Sequence, residues 1–280
     1  MSQELPLLRQ VTEFAAKNDL KLPVFNDVAI KIQSIAKSDD FDVAEVEHLI
    51  QSDQALAAEV LRAANSPFFG GLAQITTVRA AIVRLGLRQV AQLVLLASER
   101  SRYAARNPQI AELMQTLWSH ASACALSSRW LAHKLGHRSL EEEVFVGGLI
   151  HDVGMLFLAR VLDEMQADAK GKLELPSELL HELLLTAHTD QGHRLLEEWN
   201  LPEVYRVIVR DHHTEEIDPA NTPLLIVRLA NEACHRLGIG IAHDPSIVLS
   251  ATAEAHQLGA TEVVLAELEI TLEDSVAATV

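Results

Sequence analysis

Apolar residues recur at helical spacing along most of the chain, and this periodicity constrains the fold more than any other sequence feature. Residues 43–50, 78–85 and 90–97 each carry an apolar face with the repeat of an amphipathic helix. Strand-like alternation with turn punctuation is almost absent. Aromatic residues make up only 4% of the chain, so the core must consist mainly of Leu, Ile, Val and Ala, which suits closely packed helices. The sequence therefore predicts an all-α protein with about a dozen helices.

Three segments differ in their histidine content and in their chemistry. Residues 1–106 contain a single histidine and are expected to form an N-terminal helical lobe. In this lobe Asp42 is expected to cap a helix, with Glu45 at the capping-box position. Residues 107–240 hold the histidine cluster and are expected to form a second helical lobe. Residues 241–280 are interpreted as an acidic helical tail.

The charge balance disfavours a nucleic-acid partner, because the net charge is −16, from 23 basic and 39 acidic residues. We interpret three arginines as a solvated helix face: Arg79, Arg84 and Arg88. A local basic patch is the alternative interpretation of the same residues. The N-terminus lacks the pattern of a signal peptide. No uninterrupted apolar segment reaches the ~18 residues that span a bilayer. We expect a soluble cytoplasmic protein with no membrane association, in which Cys124 and Cys234 are reduced.

An imidazole and a carboxylate stand side by side in an apolar run, residues 146–155 (VGGLIHDVGM). These two residues are His151 and Asp152. Buried charges are costly unless they are paired or bind a metal. A neutral imidazole beside an ionised carboxylate is half of a site for a divalent cation. The pair therefore predicts a buried polar site.

Other polar residues in apolar helical patterns are candidates for the rest of that site. They are His120, His188, His212, His213 and Asn231. Each also has a structural interpretation. A lone histidine on an apolar helix is often a core residue bonded to a backbone carbonyl. His212 and His213 suit a solvated helix end, and Asn231 suits a buried amide that bonds a neighbouring helix.

The order of these residues, together with motifs outside them, resembles the HDOD family of the HD superfamily, which is related to the HD-GYP phosphodiesterases. The resemblance covers about residues 20–238. Its marks are residues 50–56 (IQSDQAL, with Gln54 where Pro is usual), 61–67 (LRAANSP), 80–86 (AAIVRLG) and 199–202 (WNLP), followed by His212 and His213. The resemblance implies a two-lobed α-helical architecture.

The resemblance also implies a ligand set for two metal ions. His120, His151 and Asp152 would form a first site. His188, His212 and His213 would form a second, with Asp152 as the bridge. Such nitrogen-rich ligands suit iron, manganese, nickel or zinc better than magnesium or calcium.

Three departures from the catalytic relatives bear on activity. Asn231 stands where those families place an Asp, and a neutral amide oxygen is a weaker ligand. Met155 stands where HD-GYP enzymes carry a Lys that could contact substrate phosphate. Gly-Tyr-Pro is absent, because the two tyrosines, Tyr103 and Tyr205, lie outside such a motif.

Three hypotheses about function follow. The first is a non-catalytic signalling or regulatory module with a metal-binding HD site, which binds a partner protein or a nucleotide. The second is a metal-dependent phosphohydrolase acting on a phosphomonoester or on a phosphodiester such as a cyclic dinucleotide, in which Asp152 would be catalytic. The third is a metal-free histidine network that only holds helices together. Homodimerisation through the C-terminal helices is a further expectation.

Overall fold

The computed structural model describes residues 6–20, 22, 26–36, 41–66, 69, 74–170, 175–216 and 218–279. Every regular element in these ranges is helical, which confirms the all-α fold class. In chain order the α-helices are α1 (Pro6–Lys17), α2 (Asp27–Ile35), α3 (Val43–Gln51), α4 (Gln54–Ala64), α5 (Val78–Leu85), α6 (Leu87–Arg100), α7 (Pro108–Lys134), α8 (Glu141–Ile150), α9 (Val153–Asp168), α10 (Ser177–Glu198), α11 (Glu203–Asp211), α12 (Thr222–Leu237), α13 (Ala253–Leu258) and α14 (Glu262–Thr279).

The chain divides into two compact units. The larger contains residues 1–22 and 103–273, and the smaller contains residues 23–102 and 274–280. Helix α1 thus belongs to the larger unit together with α7–α13 and most of α14. The lobe boundaries expected from the sequence, after residues 106 and 240, stay predictions.

The smaller unit contains α2–α6, and its helix ends follow the local sequence signals. Asp42 caps α3, because its Oδ1 accepts a hydrogen bond of 2.8 Å from the backbone N–H of Ala44. Glu45, at the expected capping-box position, lies 3.3 Å from the Lys31 ammonium. Gly86 separates α5 from α6 at φ +82°, a conformation that a residue with a Cβ rarely adopts.

Three arginines of the smaller unit lie on its surface. Arg79, Arg84 and Arg88 are all exposed. The guanidinium of Arg79 lies 2.9 Å from the Glu47 carboxylate. A solvated helix face, the structural interpretation of these three arginines, therefore accounts for their placement.

The long helix α7 is central to the larger unit, and small residues let its neighbours approach closely. Asn107 caps it by accepting hydrogen bonds from the backbone N–H groups of Gln109 and Ile110, at 2.9 and 3.2 Å. At Gly148 of α8, a Cβ would lie 2.8 Å from the carbonyl oxygen of Cys124 on α7. Only glycine permits this approach, which sets the position of the chain that follows α8.

Helices α9 and α10 meet even more closely at Gly154. A Cβ there would lie 1.9 Å from the carbonyl oxygen of His188. The apolar run 146–155 therefore contains glycines because α8 and α9 must pack tightly against α7 and α10. The tight packing brings the junction between α8 and α9 next to His188.

Residues 138–168, which include α8 and α9, are long and apolar enough to cross a membrane by length and composition. Within the described residues this is the one such stretch, and 83% of its apolar window is buried inside the protein. Such burial is consistent with core helices of a soluble domain.

Candidate metal centre

Four buried histidines from four parts of the larger unit surround one carboxylate. His120 lies in the middle of α7, and His188 lies in α10. His151 and Asp152 form the short junction between α8 and α9, and His212 directly follows α11. All four imidazoles are almost fully buried. The structure thus brings together residues that are up to 92 positions apart in the sequence.

Each of these imidazoles is oriented by a backbone carbonyl. The Nδ1 atoms of His120, His151 and His188 lie 2.8 Å from the carbonyl oxygens of Ile239, Gly148 and Leu184, respectively. The Nδ1 atom of His212 lies 3.0 Å from the carbonyl oxygen of Val209 and 3.1 Å from that of Ile208. A carbonyl oxygen only accepts, so each Nδ1 carries the proton. The lone pair of each neutral imidazole is therefore on Nε2.

The four Nε2 atoms point at Asp152 in two pairs. His120 and His151 lie 3.3 and 3.4 Å from Oδ2, and their Nε2 atoms are 3.1 Å apart. His188 and His212 lie 3.4 and 3.3 Å from Oδ1, and their Nε2 atoms are 3.2 Å apart. Each oxygen of the Asp152 carboxylate thus faces a different pair of imidazoles. We call the first set the His120 subsite and the second the His188 subsite.

These separations fit metal coordination. With metal–nitrogen bonds of about 2.0–2.1 Å, neighbouring ligand atoms are about 3.0 Å apart in octahedral geometry and about 3.4 Å apart in tetrahedral geometry. The observed distances of 3.1–3.4 Å fall in this range. Moreover, Asp152 Oδ1 is buried and has no hydrogen-bond partner among the described residues. A cation would satisfy this oxygen and the lone pairs that face it.

The electrostatics keep most of the ligands in the form that binds metal. Burial lowers the pKa of His151 to about 3. Burial also lowers the pKa of His188. Burial alone would raise the pKa of Asp152, but the surrounding imidazoles outweigh it and hold that pKa well below its usual value.

His120 differs from its neighbours. Burial lowers the pKa of its imidazole, but this effect is outweighed by hydrogen bonding and charge attraction from Asp152 and by contacts with Ile239 and Asn231. The net result is a raised pKa. A proton therefore competes for His120 more readily than for His151 or His188.

The two remaining candidates, His213 and Asn231, differ in solvent exposure. His213 is exposed, and its ring lies 4.2 Å from the His212 ring and 5.2 Å from the His188 ring. One ligand atom of His213 lies within 4.8 Å of ligand atoms of Asp152 and the other two histidines of the His188 subsite. Asn231 is buried on α12, and its Oδ1 has no hydrogen-bond partner among the described residues. The interpretation of His212 as a solvated helix end does not hold, because that side chain is buried.

Sequence reasoning missed His235. Its ring lies parallel to those of His120 and His213, with centroids 5.8 and 6.1 Å away. Burial and the nearby His120 imidazole lower its pKa to about 4. The available signal was its position on α12 four residues after Asn231, which places both on one helix face.

A sequence profile of the HDOD domain matches residues 22–215. The chain belongs to the HDOD family. A curated relative, an uncharacterized protein of Treponema pallidum (strain Nichols), is 24% identical over 213 residues, which are 75% of this chain. This chain covers 41% of the length of that relative.

Three solved structures share the fold. An HDOD domain protein of unknown function from Geobacter sulfurreducens has a TM-score of 0.73 at 23% identity, over 98% of both chains. A candidate metal-dependent phosphohydrolase from Shewanella amazonensis SB2B has a TM-score of 0.68 at 17% identity, also over 98% of both. A candidate signal transduction protein from Marinobacter aquaeolei VT8 has a TM-score of 0.63 at 22% identity, over 99% of this chain and 61% of that one. At these identities the likeness shows the fold alone.

Proposed function

We propose that this HDOD protein is a signalling or regulatory module whose centre binds divalent transition metals with little or no turnover. One observation carries the proposal: each oxygen of the Asp152 carboxylate faces the two imidazoles of a different subsite. A carboxylate with this arrangement can bridge two cations.

The residues present suggest which side chains hold each metal. His120, His151 and Asp152 would bind the first, with Asn231 as a weak neutral ligand. Asp152, His188, His212 and His213 would bind the second. The ligands suit iron, manganese, nickel or zinc. When bound, such ions polarise a phosphoryl oxygen and lower the pKa of a bound water.

Two residues argue against efficient turnover. Asn231 supplies a neutral oxygen at the position where catalytic relatives supply a carboxylate. Met155 is buried in α9 at the position where HD-GYP enzymes carry a Lys. Met155 therefore offers no positive charge to a substrate phosphate.

A metal-dependent phosphohydrolase remains the second candidate, and the bridged pair of subsites favours it. Its substrate would be a phosphomonoester or a phosphodiester such as a cyclic dinucleotide. A purely structural histidine network would require an added proton between His120 and His151. The Nε2 atoms of His120 and His151 are 3.1 Å apart, although both Nδ1 protons are held by carbonyls. Without a cation or an added proton, two lone pairs would face each other there.

Metal analysis and an activity assay test these alternatives. The protein is purified without a His tag or a chelator, its metals are measured, and anomalous scattering is collected from crystals. Two peaks about 3.5–4 Å apart would support a bridged pair. Metal-loaded protein that is inert towards generic phosphoesters and cyclic dinucleotides supports the signalling module. Turnover that Asp152→Ala abolishes, and that a surface variant such as His181→Ala retains, would establish the hydrolase instead.

We further propose a cytoplasmic location and a protein or nucleotide partner, with no nucleic-acid or membrane binding. The proposed homodimer would use the C-terminal helices. In support, α14 exposes Val263 and Ile270, which are seven residues apart on one helix face and are 68% and 61% exposed. Light scattering of the purified protein tests this part: a monomer at all concentrations would contradict it.

A further inference from the structure

The His212–His213 pair lies where the hydrogen bonding of α11 ends. Carbonyl groups in the last turn of a helix lack intrahelical donors and need partners from elsewhere. The carbonyl groups of Asp211 and Thr214 flank the histidine pair on its two sides. Nη1 of Arg228 lies 3.0 Å from the first oxygen and 2.7 Å from the second, and it donates to both. One guanidinium nitrogen therefore ties together the backbone on either side of the two histidines.

The guanidinium of Arg228 is itself fixed. Arg228 is almost fully buried on α12, and its Nε donates a hydrogen bond of 2.6 Å to Oε1 of Glu254 on α13. Glu254 is buried as well. A buried ion pair is tolerated when further hydrogen bonds satisfy both charges, and the two backbone carbonyls supply them for Arg228. The planar, forked guanidinium holds a fixed geometry that a flexible ammonium does not.

This arrangement acts on the backbone and not on the imidazoles. The ring of His212 is oriented separately, by the carbonyl groups of Ile208 and Val209. Arg228 instead determines where the chain that carries His212 and His213 runs. Both Arg228 and Glu254 lie beyond residue 215, where the match to the HDOD profile ends. They are therefore features of this chain that the family match does not assign.

We infer that Arg228, held by Glu254, is a positioning residue that fixes the His212–His213 turn for metal binding at the His188 subsite. The inference rests on the proposed metal-binding function. It makes the second metal position depend on α13, a helix that contributes no ligand. Within the described part of the chain, this pair makes no comparable contact with the His120 subsite, which is expected to be independent of the pair.

Metal titration of the full chain tests the inference. The metal-free protein and its Arg228→Met variant are titrated with Mn²⁺ in competition with a chelating dye. The wild type is expected to bind two equivalents. Loss of a partner that orients ligands typically weakens metal binding about 10–100-fold, and we expect this loss in Arg228→Met for one equivalent only. Equal weakening of both equivalents, or of neither, would overturn the inference.

A matched control is Arg236→Met. Arg236 lies on the same helix and pairs with Glu269 at 2.5 Å, but that pair is more exposed. This variant should bind both equivalents as the wild type does. Arg228→Lys keeps the positive charge but loses the fork, so its melting temperature should stay near that of the wild type while the second equivalent is still weakened. A normal second equivalent in Arg228→Lys and Glu254→Gln would contradict a positioning role, and these two variants decide the question if Arg228→Met does not fold.

A readout that needs no metal separates this inference from the proposed function. Diethyl pyrocarbonate modifies accessible imidazoles, and mass spectrometry locates the modified residues. His212 should be protected in the wild type and modified in Arg228→Met, while His151 stays protected in both. If the wild type binds no metal, the proposed function fails, and the protection of His212 still decides whether Arg228 holds the turn. Continued protection of His212 in Arg228→Met would refute the inference.

Discussion

The two halves of the metal centre share one carboxylate but differ in their other ligands and in their access to solvent. The His120 subsite is enclosed, with two buried imidazoles and the neutral amide of Asn231 nearby. The His188 subsite has three imidazoles, one of which, His213, is exposed. Because nitrogen ligands favour borderline transition metals, we expect the His188 subsite to bind such metals more tightly.

The comparison also shows that burial alone does not make a ligand set. Elsewhere, buried charged side chains pair with an opposite charge, as in the Arg228–Glu254 pair and the Glu99–Arg102 pair at 3.0 Å, or accept backbone N–H groups, as Asp163 does from Arg106 and Asn107. At Asp152 the neighbours are imidazoles, most of which burial keeps neutral. A bound cation would give this carboxylate a charged partner. The enclosed and open subsites would then differ in what can reach that cation.

The largest expected effect comes from the residue that the two subsites share. Asp152→Asn keeps the shape of the side chain but removes its charge and leaves one oxygen. Both equivalents should weaken by more than about 100-fold, because even the loss of residues that only orient ligands costs 10–100-fold. Competition titration with Mn²⁺ measures the loss.

His181→Ala is the control for this experiment, because His181 is an exposed histidine on the same helix as His188. It should bind both equivalents normally. If Asp152→Asn loses only one equivalent, the carboxylate does not bridge, and the two subsites must be treated as separate sites.

A smaller and selective effect is expected from His213→Ala. The side chain is exposed, so its removal should change the free energy of unfolding of the metal-free protein by less than about 0.5 kcal/mol. The equivalent at the His188 subsite should weaken about 10–100-fold, while that at the His120 subsite is unchanged. Isothermal titration calorimetry separates the two. Unchanged binding would show that His213 is not a ligand and would remove the main chemical difference between the subsites.

Much of the fold and of the centre follows from the sequence, because both depend on local patterns. Helical periodicity predicts the helices, and Asp42 marks the start of α3 where the structure has it. The apolar run around His151 predicts the buried junction between α8 and α9. The order of the histidines, read with the family motifs, names the residues that the structure brings together.

The contacts that orient these residues could not be predicted in this way, because they join distant segments through backbone atoms. The carbonyl group of Ile239 orients His120 across 119 positions. Every residue has such a carbonyl group, so the sequence does not single out Ile239. The contact of Arg228 with Asp211 and Thr214 likewise carries no side-chain signature at the receiving end. The sequence does not distinguish His213 from His212, although one is exposed and the other buried, because a helix end does not determine which of two adjacent side chains turns inward.

The amide at the His120 subsite provides a gain-of-function test. Asn231→Asp would add a negative charge near His120 and Asp152, so it should strengthen metal binding there by about tenfold, or about 1.4 kcal/mol. The metal-free variant should be less stable than the wild type, because two buried carboxylates would repel each other. Thermal unfolding with and without Mn²⁺ measures both effects, since a ligand that binds only the folded state raises the melting temperature. An unchanged metal-induced shift would place Asn231 outside the ligand set, and Asn231→Ser serves as a control for altered packing.

The smallest expected effect is a difference in pH dependence between the subsites. The raised pKa of His120 means that a proton competes with metal there as the pH falls. Burial lowers the pKa of His188, so the imidazole of His188 stays neutral to lower pH. One displaced proton costs up to about tenfold in affinity per pH unit. Between pH 7.5 and pH 6.0, the His120 subsite should therefore lose affinity more steeply.

His213→Ala, in which the remaining tight equivalent belongs to the His120 subsite, allows that slope to be measured alone by titration at each pH. Equal slopes for both subsites in the wild type would show that Asp152 does not hold a proton on His120, and the enclosed subsite would then differ from the open one in its ligands only.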